Sequence, residues 1–238
     1  MTTPSDNKRG ILRYTTFSRL NHWFIAFTFV CLTLSGLAFF HPFFFDLTAL
    51  FGGPTMTRIL HPFIGVAMSL GFVVMAVRFF KVNLFKRHDV AWVRRIGDVL
   101  ANRDERAPPI GANNPGQKLV YWVMLLSVPA LLLSGFFIWR PYFADILPRG
   151  WLRFSSLVHA YVAFVAIVTL IIHVYSAIWV KGSFRAMTQG RVSRAWAKHH
   201  HRLWYDEIVE QERRESGEQD ERGERPLDEH RMPDKGTP

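Results

Sequence analysis

The chain predicts an all-α fold, an integral membrane four-helix bundle, on three observations. Of its 238 residues, 49% are hydrophobic and 15% aromatic, and most of these gather into four runs long enough, at about 1.5 Å per helical residue, to cross a hydrocarbon core about 30 Å thick. None of the four runs contains an Asp or Glu. Basic residues cluster before the first run, between the second and third, and after the fourth. The formal net charge of +10 therefore reads as charge that orients the chain in a membrane, with both termini cytoplasmic, and not as a nucleic-acid surface.

In order, residues 1–19 form a cytoplasmic polar lead holding Lys8, Arg9, Arg13 and Arg19. The lead has no short apolar core and no small-residue cleavage signal closes the next run, so the first span, 20–40, is expected to remain as an uncleaved anchor. His41-Pro42 closes it, and Gly52-Gly53-Pro54 break the outer loop. The second span, 59–80, opens on His61-Pro62, with the proline expected in the first helical turn, where its missing N–H has no intrahelical partner to lose. The loop that follows carries Lys86-Arg87, Arg94-Arg95, Arg103 and Arg106. Within it, apolar residues at helical spacing over 90–100 give either a short interfacial helix or a mobile loop. Asn114-Pro115 reads as an N-cap followed by proline at the first helical position, ahead of the third span, 119–139. The fourth span, 154–180, completes a domain covering 20–180. Residues 181–205 form a basic cytoplasmic juxtamembrane segment, and 206–238, rich in charge, Gly and Pro, a disordered tail. No internal repeat is evident.

A single cysteine, Cys31, leaves no intrachain disulfide, thiolate-ligated cluster or CxxCH haem attachment. Histidine is the residue that stands out. The fourth run carries His159 and His173, fourteen residues apart, which separates them by about 21 Å along a helix and leaves them on one face, about 40° out of register. His22, near the cytoplasmic start of the first span, lies at the depth of His173. His61, at the outer start of the second, lies at the depth of His159. Four histidines from three helices thus form two stacked pairs. Zinc would want three or four ligands at one level, and a proton relay would be expected to include an acid, which the spans lack. Two imidazoles per level suit the two axial positions of a haem, leaving no open site for oxygen chemistry, with Gly36, Gly65 and Gly135 letting a flat macrocycle approach the backbone. Against this stands a haem-free scaffold or transporter whose histidines hydrogen-bond between helices. His41 reads as interfacial, His88 and His230 as solvated, and His199-His200-His201 as part of a basic run and not a metal site.

Five segments resemble the gamma subunit, a b-type cytochrome, of membrane-bound respiratory formate dehydrogenase: RILHPFIG (58–65), NPGQK (114–118), GFFIWRPYF (135–143), HVYSAIWVKGS (173–183) and GRVSRAWAKHHHRLWY (190–205). The likeness runs from about residue 13 to 206. It implies a four-helix subunit with two haems b, ligated by His22 and His173 on the cytoplasmic side and by His61 and His159 on the periplasmic side. It implies further that formate is oxidised on a separate catalytic alpha subunit holding molybdenum or tungsten. An iron–sulfur beta subunit would then feed the outer haem, and the inner haem would reduce a quinone, in a bacterial inner membrane and in an assembly open to higher-order oligomers. The implied quinone pocket maps onto Asn114, Gly116 and Gln117, although Pro115 departs from the small residue expected there and removes a backbone donor. Arg19, Arg58 and Arg140 are candidates to pair with haem propionates or simply to set orientation. The cytochrome b subunit of another respiratory enzyme, a hydrogenase or thiosulfate reductase, would share the haem frame and dock a different partner.

Overall fold

A computed structural model of the chain describes residues 10–100, 108–140, 142–180 and 182–223. The lead up to residue 9, Arg103, Arg106, Lys181, His230 and the tail from 224 lie outside them. In chain order, β1 (Ile11–Leu12) enters α1 (Thr16–Phe40), and a 3₁₀ turn over Pro42–Phe51 leads to α2 (Pro54–Phe79). Short helices α3 (Arg87–Arg94) and α4 (Ile96–Leu100) precede α5 (Pro115–Ile138) and α6 (Arg149–Trp179). The segment after α6 forms α7 (Ser183–Gln189), β2 (Arg191–Val192), α8 (Arg194–His200) and α9 (Arg202–Gly223).

Four of these helices, α1, α2, α5 and α6, are long and apolar enough to cross a membrane. Each starts four or five residues before the apolar run does, and two of them, α1 and α5, open on a side-chain cap, from Thr15 and Asn114. Thr15 Oγ1 accepts the N–H of Ser18 at the start of α1. Gly52 and Gly53, at φ of 85° and 94°, turn the chain back in a conformation glycine adopts without Cβ strain. The hydroxyl of buried Thr57 then donates to Gly53 O at 2.8 Å and reaches Thr48 O at 3.3 Å. That turn starts α2 at Pro54 and corrects the placement of Pro62, which sits inside the helix and not in its first turn. Pro62 leaves the Arg58 carbonyl without its helical donor.

Helix α1 packs on α2 and α5 on α6, and the two hairpins join chiefly through α2 and α5. Between them lies an apolar plug of Ile25, Phe29, Met68, Phe72, Ala76, Val128 and Ala166. Large side chains such as Phe27, Val77, Leu126 and Leu157 point outward and stay exposed, as lipid contact allows. Because apolar surface gains nothing by leaving lipid for protein, interhelical hydrogen bonds matter here. Asn21 Nδ2 donates to Gly71 O at 3.0 Å, and Tyr121 Oη to Ala76 O at 2.8 Å.

At one end of the bundle three polar segments fold together. Strands β1 and β2 pair antiparallel, Ile11 opposite Val192, and the N–H groups of Arg13 and Tyr14 both donate to Gly190 O. The Arg13 guanidinium lies over Tyr14, Trp196 and Trp204 and donates to Ala112 O at 2.7 Å. His201, read in the sequence only as part of a basic run, is buried against it. Its Nδ1–H donates to Gly111 O at 2.8 Å, so Nε2 accepts from Arg13 at 3.2 Å. The disordered tail expected from 206 is likewise corrected as far as Gly223, where α9 ends. Trp204, Tyr205 and Ile208 anchor that helix on the cap, and pairs such as Glu210 with Arg214 support it one turn apart.

Burial, and then the adjacent Arg13 charge, push His201 down to about 3. Folding therefore favours neutral His201, and its contribution is complete above the unfolded value of about 6.5. As pH falls below that value the cap should lose about 1.4 kcal/mol per pH unit. Melting in detergent between pH 7 and 5 should show this slope in the native chain and a flatter one in His201→Gln; equal slopes would refute the assignment.

Candidate functional site

The four sequence-predicted histidines meet in two pairs. His22 of α1 faces His173 of α6 with ring centroids 6.2 Å apart, and His61 of α2 faces His159 of α6 at 6.3 Å. All four are partly buried. Two imidazoles bound to one metal through nitrogens about 2 Å from it, with about 1.1 Å more from nitrogen to ring centre, bring their centroids to roughly 6 Å. Both pairs have that spacing. Among the described residues no group of three or more His, Cys, Asp or Glu could hold a free ion. The arrangement thus suits a metal already held in a plane that needs only two axial ligands.

The surroundings of the His61–His159 pair repeat from one hairpin to the other. Ser35 of α1 lies 2.7 Å from His61 Nδ1, and Ser134 of α5 lies 3.0 Å from His159 Nδ1. Beside each serine a glycine faces the same ring. A Cβ built on Gly36 would stand 3.5 Å from His61 Cε1, and one on Gly135 3.4 Å from His159 Cε1. Gly65, the third glycine expected to line a flat group, faces Leu32 instead. The sequence does carry a repeat that accounts for this, correcting the expectation of none. Leu34-Ser35-Gly36 and Leu133-Ser134-Gly135 are each followed by four apolar residues and then His41-Pro42 or Arg140-Pro141. The His22–His173 pair has no such match, and His22 Nδ1 is buried without a hydrogen-bond partner.

The sequence profile of prokaryotic cytochrome b561 matches residues 13–190, a stretch that contains all four histidines. The chain belongs to that family. Membership implies a membrane cytochrome that carries haem b and transfers electrons. Among curated relatives, the formate dehydrogenase cytochrome b556(fdo) subunit of Escherichia coli (strain K12) is 42% identical over 198 residues, covering 83% of this chain and 93% of the relative. The nitrate-inducible formate dehydrogenase cytochrome b556(Fdn) subunit of the same strain is 40% identical over 209 residues, covering 88% and 96%. The formate dehydrogenase cytochrome b556 subunit of Haemophilus influenzae is 35% identical over 203 residues, covering 85% of each.

In this cytochrome b561 the residues expected around a quinone form the start of α5. Gln117 N–H donates to Asn114 Oδ1 at 2.8 Å and Asn114 N–H to Gln117 Oε1 at 2.9 Å, a reciprocal cap. The side-chain oxygens are thereby used, and what the two residues can offer a ligand is their amide NH₂ groups. Pro115 costs little, since it fills the first helical position. Of the arginines, Arg19 donates to Thr188 O and to Thr16 Oγ1, Arg58 lies over Phe39, and Arg140 is exposed.

One residue past the cap, Lys118 makes a contact that the sequence did not reveal. Its Nζ lies 2.7 Å from Asp89 Oδ2, with both side chains almost fully buried, and Lys86 N–H donates to the same oxygen at 2.6 Å. His88, expected in solvent, is half-buried beside Asp89. Burial alone would raise the Asp89 carboxyl, but the bonds from Lys118 and Lys86 outweigh it and hold the carboxyl below its usual range. Its contribution is therefore complete above about pH 3.9 and lost as pH falls below that. Lys118→Met should cost about 3–5 kcal/mol by leaving a buried charge unpaired, and adding Asp89→Asn should return much of it. Thermal melts of the single and double variants give the coupling; additive losses would contradict it.

Proposed function

We propose that the chain is the diheme cytochrome b membrane subunit of a formate dehydrogenase. It would carry electrons from catalytic and iron–sulfur subunits on the periplasmic side of a bacterial inner membrane to a quinone near the cytoplasmic side. The observation that carries this reading is the pair of facing imidazoles at each of two levels, with centroids 6.2 and 6.3 Å apart. The names of the relatives, each matched over at least 85% of its length, support the formate dehydrogenase assignment over the hydrogenase and thiosulfate reductase alternatives.

The residues fit the group. His61 and His159 would hold the outer haem, and His22 and His173 the inner one. A haem with histidine on both axial positions moves one electron at a time and leaves no coordination site for a substrate. The chain's part is to fix positions. The fourteen residues between His159 and His173 set a vertical offset of about 21 Å, and the apolar plug between the levels keeps the path dry. Gly36 and Gly135 stand against the Cε1 edges of the outer rings, where a Cβ would lie 3.5 and 3.4 Å away. At the inner end the Asn114 and Gln117 amides would donate to a quinone carbonyl. With the polar cap in the cytoplasm, electrons released outside would meet protons taken up inside, and turnover would separate charge.

In the assembled, fully loaded complex, haem extraction and a dithionite-reduced minus oxidised spectrum should give two haems b per chain. His61→Ala and His159→Ala should remove the same haem, and His22→Ala and His173→Ala the other; any other grouping would overturn the ligand assignment. Formate should reduce both haems. Gln117→Ala should slow their reoxidation by added quinone at least tenfold while leaving formate-driven reduction unchanged, and unchanged reoxidation would remove Gln117 from the quinone site.

A further inference from the structure

The geometry points to Ser35 and Ser134 as the residues that fix the tautomer and strengthen the donor character of the two outer-haem histidines, an inference that rests on His61 and His159 being ligands. Each hydroxyl has one proton to give. Ser35 Oγ lies 2.7 Å from Cys31 O, and Ser134 Oγ lies 2.6 Å from Ala130 O. A carbonyl oxygen can only accept, so at these distances the serine proton must lie on the line to the carbonyl, or two lone pairs would face each other unscreened. The same serine oxygens also lie 2.7 and 3.0 Å from His61 Nδ1 and His159 Nδ1. With the hydroxyl proton spent, each serine oxygen accepts, and the Nδ1 of each histidine carries the proton. In a neutral imidazole that leaves Nε2 bare, which is the state a metal ligand requires.

The serines therefore select the ligating nitrogen before any iron arrives. They also orient the rings, since the two glycines next in sequence flank the same imidazoles. Donation from Nδ1–H to oxygen raises the basicity of Nε2, which favours ferric over ferrous iron and lowers the outer haem's potential. The pattern is carried by both hairpins and by neither inner ligand in kind, since buried His22 Nδ1 has no partner. The two haems are thus set differently by protein hydrogen bonding, and the serines act only on the outer one.

The test is an optical redox titration of the intact complex with Ser35→Ala, Ser134→Ala and the double variant, beside haem content per chain. The outer haem is identified as the one lost in His61→Ala. In the double variant the outer midpoint should rise by about 59 mV or more, a tenfold shift in a one-electron equilibrium, with the inner midpoint unchanged. Ser→Thr at both positions retains the hydroxyl and should restore the native value. Loss of the outer haem alone, rescued by Ser→Thr, supports the same role. An unchanged outer midpoint with both haems bound, equal shifts of both haems, or loss of both haems would overturn it. Failure of the haem ligand assignment itself would show separately, as no loss of haem in His61→Ala or His159→Ala.

Discussion

The facing of one histidine by another across the bundle, at two depths at once, is the constraint that the rest of the molecule serves. Helix α6 contributes to both pairs, so its rigid fourteen-residue interval must agree with the positions of His22 on α1 and His61 on α2. A slip of α6 by one turn, about 5.4 Å, would break both. What prevents it is packing at the midpoint. Ala166, seven residues from each histidine, is fully buried against the plug formed by Phe29, Phe72 and Val128. A residue that small lets the helices approach closely, which is how membrane helices gain van der Waals contact where burial from water is not available.

The two pairs are held by different means. At the outer pair, serines and glycines from inside the bundle press directly on the rings. At the inner pair the restraint comes from the polar cap. Arg19, one turn before His22, bonds to Thr188, and Trp23, directly after it, donates to Met187 O at 3.4 Å. These contacts bind the entry of α1 to α7, just beyond the end of α6. The strand pair β1–β2 and the Arg13–His201 contact close the same loop. The cap is thus the inner pair's counterpart to the outer pair's serines, built from sequence-distant segments in place of neighbouring helices.

That difference explains what could be read from the chain alone. Four helices, their depth order and the histidine pairing follow from hydropathy and spacing within single runs, and the rings meet as that spacing requires. The start of α2 was misplaced because it depends on Thr57 reaching back to Thr48 and Gly53, a local detail outside the apolar run. Arg13 and His201 are 188 residues apart, and Asp89 and Lys118 are 29 apart. Nothing in their flanking sequence distinguishes them from orienting charges and a basic run, so only the folded chain reveals them. Helix α9 was read as disorder because its few apolar residues sit in its first two turns, where the cap receives them. The Ser-Gly pairs were visible in the sequence as a repeat, yet a serine in a membrane helix usually satisfies itself on its own backbone, and only the position of the facing imidazole shows a second role.

Under the proposed direction of flow, an electron moving inward travels against a membrane potential that is negative inside, at about 2.3 kcal/mol per 100 mV for the full thickness. The arginines of the chain do not favour one level over the other. No acidic residue lies in the four spans, and an arginine stands three residues before a histidine at each level, Arg19 before His22 and Arg58 before His61. Such cations stabilise added negative charge at both levels, and more strongly beside an apolar bundle than in water. If His61 and His159 hold a haem as proposed, their donation to serine would make the outer iron the poorer resting place for an electron. The tilt of the electron path toward its inner end would therefore come from hydrogen bonding at the outer pair and not from the basic residues that would orient the chain in the membrane.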